Sequence, residues 1–325
     1  MLGAIAGDII GSRFEGGPPP PEGFELFHRE CRFTDDTVCT LAVAGALMGG
    51  RDVAAELRAF VHRHPGRGYG GMFARWARDR RAGPYGSWGN GAPMRVAAAG
   101  WLATTEAEAR AHAAAQAAVS HDHPDAVAAA EAVAVAILRL RRGGAPAATL
   151  AEVADAFGYD IVPERALAGG GFDISAAGTV PPALAAVASA DDWEGAIRRA
   201  VGLGGDTDTL GCIAGAVAEA AFGLPAPVAA AARELLTPDL LDVWRPSKPP
   251  WRRRAARRRA GAGARVVIPA VSAARTTAGI SGDPSGGGTV VPAGSAGGRS
   301  HGGRRHRRCA ARPLPQGSES KSGGA

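Results

Sequence analysis

Residues 204–209 read GGDTDT and run directly into LGCIAGAVAEAAFG at 210–223, an apolar, Ala-rich stretch with the composition of a buried helix. One short oxygen-bearing side chain is enough to cap a helix, because it accepts a hydrogen bond from the unpaired N–H groups of the first turn. Here Asp206, Thr207, Asp208 and Thr209 follow one another. Carboxylates this close repel, and the helix dipole offsets only about 0.3–1 kcal/mol per charge at a surface. A bound positive charge is the simplest neutraliser. Geometry adds a condition. Inside a regular helix, residues two apart diverge by about 200°, so Asp206 and Asp208 reach one site only if the chain is still turning into the helix. Gly204 and Gly205 permit that turn.

The pattern recurs near the other end of the chain, where FTDDTVCT at 33–40 precedes LAVAGALM. If the two acidic helix starts face each other in the fold, their oxygens form a cage suited to hard divalent cations, which take oxygen donors without His or Cys.

Outward from these two points the chain reads as helix after helix, Ala-rich and poor in β-branched strands. The spacing predicts helices near 37–48, 52–63, 70–81, 92–103, 105–118, 125–142, 149–157, 191–202, 208–222 and 226–236. In DAVAAAEAVAVAILRLRR at 125–142 the larger apolar residues cover more than one face, as in a helix at the centre of a bundle. No βαβ alternation occurs, so the fold class is all-α, a multi-helix bundle. Of three Gly-rich joints, GRGYGG at 66–71 and GGGF at 169–172 read as flexible loops. GPYGSWGNG at 83–91 differs, because Ser87, Trp88 and Asn90 interleave with Gly86 and Gly89 just before a helix start, a place suited to an anionic or nucleotide ligand.

The 325 residues are 46% hydrophobic, enough for a sizeable core. Four cysteines without CxxC or paired spacing argue against a disulfide framework and a zinc site, and place the chain in a reducing cytoplasm. MLGAIAGDIIG lacks a basic leader, and Asp8 interrupts its apolar run, so neither a signal peptide nor a membrane span is expected. The net charge of +6 averages two unlike parts. Of 37 Lys and Arg, 17 lie from Arg245 onward beside only two of the 31 acids, so that part carries +15 and residues 1–244 carry −9. Residues 1–245 therefore read as the folded domain and 246–325 as a disordered Arg/Gly/Ala/Pro-rich tail. Basic runs such as WRRRAARRRA are of the kind that contacts nucleic acid, though a solvated tail without a partner is the more ordinary reading.

GAIAGDIIGSRFE, FTDDT, YGSWGNGAPMR, SHDHPDA and TVPPALAAVASADDWEGAIRRAVGLGGDTDT, in that order, resemble the ADP-ribosylglycohydrolase family, which includes dinitrogenase reductase-activating glycohydrolases and ADP-ribosylhydrolases. The resemblance spans nearly all of residues 1–244. It implies an all-α orthogonal multi-helix bundle with two Mg²⁺ ions, Mn²⁺ in some members, in a cleft that binds ADP-ribose. By matching position, the implied metal ligands are Thr34, Asp35, Asp36, Asp206, Asp208 and Thr209. Asp35 or Asp36 is the implied general base, and Glu15, closing GSRFE, matches a glutamate near the metals. Gly86, Ser87, Trp88, Gly89 and Asn90 match the loop that grips the phosphates and distal ribose, and His121 matches a histidine lining the cleft. Trp88 departs from the smaller or tyrosyl aromatic of some members. His123 reads as structural, and Asp8 as a residue that caps or orients the acidic turns without being a ligand.

The expected activity is hydrolysis of the glycosidic bond between ADP-ribose and an acceptor, on an ADP-ribosylated protein or a small ADP-ribosyl compound. Two other readings fit the same residues: a different two-metal hydrolase acting on a nucleotide or phosphoester, and a non-catalytic ADP-ribose-binding protein.

Overall fold

The computed structural model describes residues 1–168 and 171–244. Among them are fifteen α-helices and no strand: α1 Leu2–Gly11, α2 Asp35–Gly49, α3 Val53–Arg63, α4 Gly71–Arg78, α5 Gly91–Met94, α6 Ala97–Leu102, α7 Glu106–Ala117, α8 Pro124–Leu140, α9 Pro146–Phe157, α10 Pro163–Ala166, α11 Ala176–Ala188, α12 Trp193–Val201, α13 Thr207–Phe222, α14 Ala226–Glu234 and α15 Pro238–Leu241. The all-α multi-helix bundle expected from the sequence is what forms. No helix among the described residues is long and apolar enough to cross a membrane. The tail expected at 246–325, with its basic runs, lies outside the described residues.

The arrangement is set by α1, a helix the sequence reading did not predict. Three of its ten residues are glycine, the worst helix former after proline, so local propensity is against it. Packing overrides that preference. Gly3, Gly7 and Gly11 recur every four residues and so share one face, and the same face of α13 carries Thr207, Gly211 and Gly215. The two helices lie antiparallel with backbones almost touching: a Cβ on Gly7 would sit 1.8 Å from the Gly211 carbonyl oxygen, and one on Gly3 2.3 Å from that of Gly215. Any larger side chain would push the helices apart. Gly3 N–H, one of the unpaired donors of the first turn, finds Glu219 Oε2 at 2.8 Å.

Helix α8 runs through the interior with all of Ala132 to Leu138 buried, as the spread of its apolar residues predicts. Another unpredicted helix, α11, contains Pro181 and Pro182, which forfeit two backbone donors. Ser175 caps it through a 2.9 Å bond from Gly178 N–H, and complete burial of Ala183 to Val187 holds it in place.

The single helix expected over 92–103 is two. It breaks at Arg95, where the guanidinium turns into the core. The carbonyl of Met94 freed by the break accepts from Thr40 Oγ1 on α2 at 3.2 Å and from Cys212 Sγ on α13 at 3.3 Å. A broken helix thereby ties together the two helices whose N-termini are acidic.

Candidate active site

Glycine fixes the second acidic turn. Gly204 and Gly205 both have φ of +73°, a region L side chains avoid. Asp206 follows with φ −83° and ψ 64°, still outside helical geometry, and α13 begins at Thr207. Asp206 and Asp208 are therefore not separated by a regular helical rotation, as the sequence argument required. Gly205 also exchanges backbone hydrogen bonds with the turn after α1: Gly16 N–H donates to its carbonyl at 2.8 Å, and its own N–H donates to Gly17 O at 3.3 Å. That pairing brings Glu15, at the exposed end of the turn, to the rim of the site.

The first acidic turn hangs on Asp8. This residue of α1 is fully buried and accepts from Thr34 N–H at 3.0 Å, Thr34 Oγ1 at 2.7 Å, Thr37 N–H at 3.1 Å and Thr37 Oγ1. Burial raises its carboxyl to about 6 against the pull of those bonds. Thr34 in turn caps α2, accepting from Asp36 N–H at 3.2 Å. One short helix thus carries both connections, its glycine face seating α13 and the neighbouring Asp8 orienting α2.

The two turns meet. Thr209 Oγ1 donates to Asp36 Oδ2 at 3.3 Å. Asn90 Nδ2 donates to Asp206 Oδ2 at 2.6 Å and approaches Thr179 Oγ1 at 3.1 Å, tying the 86–91 loop to the second turn. Asp36 Oδ1 is buried without a hydrogen-bond partner. Crowding acts on the carboxyls as expected. Burial, then Asp208, pushes Asp36 well up, and burial, then Asp206, does the same to Asp208. Asp35 is raised to about 8, by burial and then by Asp8, although one side of it is open to the cavity. Glu15 is raised by partial burial and by Asp206, with Arg32 opposing.

Above these acids lies a cavity of about 500 Å³, lined by Glu15, Asp35, Asp36, Asp206, Asp208 and Thr209 on one side and by Ser87, Gly89, Asn90 and His121 on another. Thr34 stands behind Asp35 and Asp36 and does not line it. Nor do Gly86 and Trp88. Gly86 N–H is held by Asp122 Oδ1 at 2.6 Å, and the Trp88 indole is half exposed outside the cavity, its carbonyl accepting from Ala176 N–H. His123 caps α8, accepting from Asp125 N–H at 3.2 Å, in keeping with a structural role.

The lining also contains residues that sequence reasoning missed: Met72, Phe73, Arg75, Tyr85, Met94, Arg95, Phe172 and Ile174. The loops read as merely flexible are part of it, through Gly68, Gly70 and Gly71 from one and Phe172 from the other; Gly169 and Gly170 lie outside the described residues. The first loop is stapled in place. Arg67 stacks on the Phe33 ring at 3.7 Å, and its carbonyl accepts from Asp35 N–H at 2.8 Å. The available signal was glycine density before α4, which 83–91 shares, though there Ser87, Trp88 and Asn90 among the glycines drew the reading.

Fold and site together define an all-α protein with a cavity floored by two carboxylate turns. The model of the ADP-ribosylglycohydrolase family matches residues 1–260, and the chain belongs to that family. Among solved structures, an ADP-ribosylglycohydrolase-related protein complex is similar, with a TM-score of 0.57 and 27% identity over 72% of this chain and 96% of that one. A search of curated proteins found no match. Family membership supports a glycohydrolase acting on ADP-ribose.

Proposed function

We propose that the chain is a divalent-cation-dependent hydrolase that splits the glycosidic bond between ADP-ribose and an acceptor. The observation that carries this reading is the contact between Thr209 and Asp36, which unites the two acidic turns beneath a cavity and leaves Asp36 Oδ1 buried and unpartnered. Buried carboxylates without cationic partners are unstable neighbours unless protonated or bound to metal. Among the described residues no three His, Cys, Asp or Glu side chains form a group that holds a metal ion unaided. The donor set fits when the Thr209 hydroxyl is counted with the acids: Asp35, Asp36, Asp206, Asp208 and Thr209 line the cavity and present oxygen alone, the preference of Mg²⁺ or Mn²⁺, while Thr34, its hydroxyl held between Asp8 and Asp36 N–H, stands behind them. Bound there, such cations supply charge neutralisation and Lewis acidity toward water and ribose hydroxyls.

The chain's own groups do the rest. Asp35, the acid of the first turn with a side open to the cavity, accepts the proton of the attacking water. Water oxygen bonds to the anomeric carbon as the bond to the acceptor nitrogen or oxygen breaks, and the departing group takes up the proton that Asp35 received. Positive charge that develops on the sugar faces Asp36, Asp206 and Asp208, as in other glycosidases. Ser87, Gly89 and Asn90 orient the ligand from the loop that Asn90 ties to Asp206, and Glu15 stands at the entrance. The test is release of ADP-ribose from arginine-linked and serine-linked ADP-ribosyl peptides, assayed side by side with Mg²⁺ and with chelator. Release from neither peptide in the presence of Mg²⁺ or Mn²⁺ rejects the reading in favour of another substrate or of binding alone.

A further inference from the structure

Arg95 is buried completely, yet no carboxylate pairs with it among the described residues. An unbalanced guanidinium in the core is costly, and an apolar side chain would fill the space at lower cost. The reason for an arginine lies in what its nitrogens hold. Nε donates to Gln116 Oε1 at 2.8 Å, while Nη2 donates to Gln116 O at 2.9 Å and to Ser120 Oγ at 3.0 Å. The Gln116 amide cannot turn round, because its Nε2 donates to Ala92 O at 3.0 Å.

A guanidinium only donates, so Ser120 Oγ must accept from it. The Ser120 hydroxyl hydrogen then has one acceptor in reach, His121 Nδ1 at 2.8 Å. A ring that accepts at Nδ1 carries its proton on Nε2. That nitrogen has no protein partner among the described residues. It lies on the cavity wall, so close to the 87–91 loop that a Cβ on Gly91 would approach it to 2.6 Å. Phe73 and Tyr85 flank the ring with centroids at 6.2 and 5.9 Å. Burial, and after it the Arg95 charge, pushes the imidazole down to about 2, so the ring is neutral at ordinary pH.

We infer that Arg95 and Ser120 are positioning residues that lock His121 in its neutral Nε2–H form, so that it offers the cavity a hydrogen-bond donor and cannot act there as a proton-accepting base. That the acceptor is an oxygen of ADP-ribose rests on the function proposed above; the state of the ring does not.

Long-range ¹H–¹⁵N NMR of the metal-free full chain with labelled histidine, assigned by loss of the signal in His121→Gln, reads the ring directly. The expected spectrum has one proton, on Nε2, throughout about pH 5–8. A proton on Nδ1, or a doubly protonated ring, overturns the proposal without any variant. Ser120→Ala is expected to yield a mixture of tautomers and to weaken ADP-ribose binding about tenfold. Ser120→Thr, which restores the hydroxyl, should restore both. An unchanged ring state in Ser120→Ala overturns the relay. Retention of Nε2–H in a wild-type chain that does not bind ADP-ribose supports the relay and sinks the substrate reading instead.

Discussion

Thr209 on α13 donates a hydrogen bond to Asp36 on α2 across 173 residues of sequence. Neither turn alone encloses anything. Their meeting turns two capped helix starts into the floor of a cavity, and the expected consequences of altering that floor can be measured.

Removal of one acid from each turn should stop the reaction while sparing the fold. Asp35→Ala and Asp208→Ala are expected to lower release of ADP-ribose by about 100-fold or more, equivalent to about 2.7 kcal/mol of barrier. Circular dichroism should be unchanged, because both substitutions relieve repulsion between buried acids. Full turnover in both variants would remove these residues from the mechanism.

The crowded carboxyls make the metal-free protein sensitive to pH. Asp35 and Asp8 have folded-state values of about 8 and about 6, both above the 3.8 of an unconstrained aspartate. The folded chain keeps protons that the unfolded chain gives up, so this contribution is complete below about pH 4 and is lost as pH rises toward 8. In chelator the melting temperature should fall over that range. Saturating Mg²⁺ should raise it most at the alkaline end, since a ligand of the folded state stabilises by mass action.

Asp8 orients the first turn without lining the cavity. Asp8→Ala strips Thr34 and Thr37 of a shared acceptor and is expected to weaken Mg²⁺ binding about 10- to 100-fold, the usual cost of losing a group that holds a ligand in place. Asp8→Asn, which keeps a carbonyl oxygen, should fall between it and the wild type in a calorimetric titration.

Gly7→Ala adds one methyl where no room exists, with the new carbon 1.8 Å from the Gly211 carbonyl oxygen. Overpacking of this kind costs about 1–3 kcal/mol and sometimes more. Denaturant unfolding should register a loss at the upper end of that range. Gly83→Ala is the control, because a Cβ there meets nothing within 4 Å and the backbone lies outside the positive-φ region.

Much of the candidate site was legible because charge leaves a plain mark. Four oxygen-bearing residues in a row at 206–209, and their echo at 34–37, exceed what capping requires, and the structure brings both together. The helix at 125–142 was equally plain, since apolar residues on several faces leave it nowhere but the interior. What stayed hidden was whatever tertiary contact had to override a local preference. Glycine at 3, 7 and 11 argues against a helix until the partner glycines of α13 are seen beside it, and the pair Pro181-Pro182 masks α11 until its buried second half is counted. Arg95 ends a helix that its neighbours would continue, for reasons that lie on Gln116 and Ser120. The lining loops at 66–71 and 171–174 were hidden for a further reason: glycine records freedom of the chain, not which neighbour exploits it.

The seam between α1 and α13 has one more implication. Its contacts recur every four residues, so a slip of one, two or three residues drives a side chain into backbone, and the next allowed seating lies about 6 Å away along the axis. At that offset Asp8 has left Thr34 behind. Half-aligned arrangements are absent from the menu, so injury to this seam should change how many molecules work and not how well each one does. A weakened variant would then be a blend of competent and dead copies, distinguishable by counting active sites in a single-turnover burst.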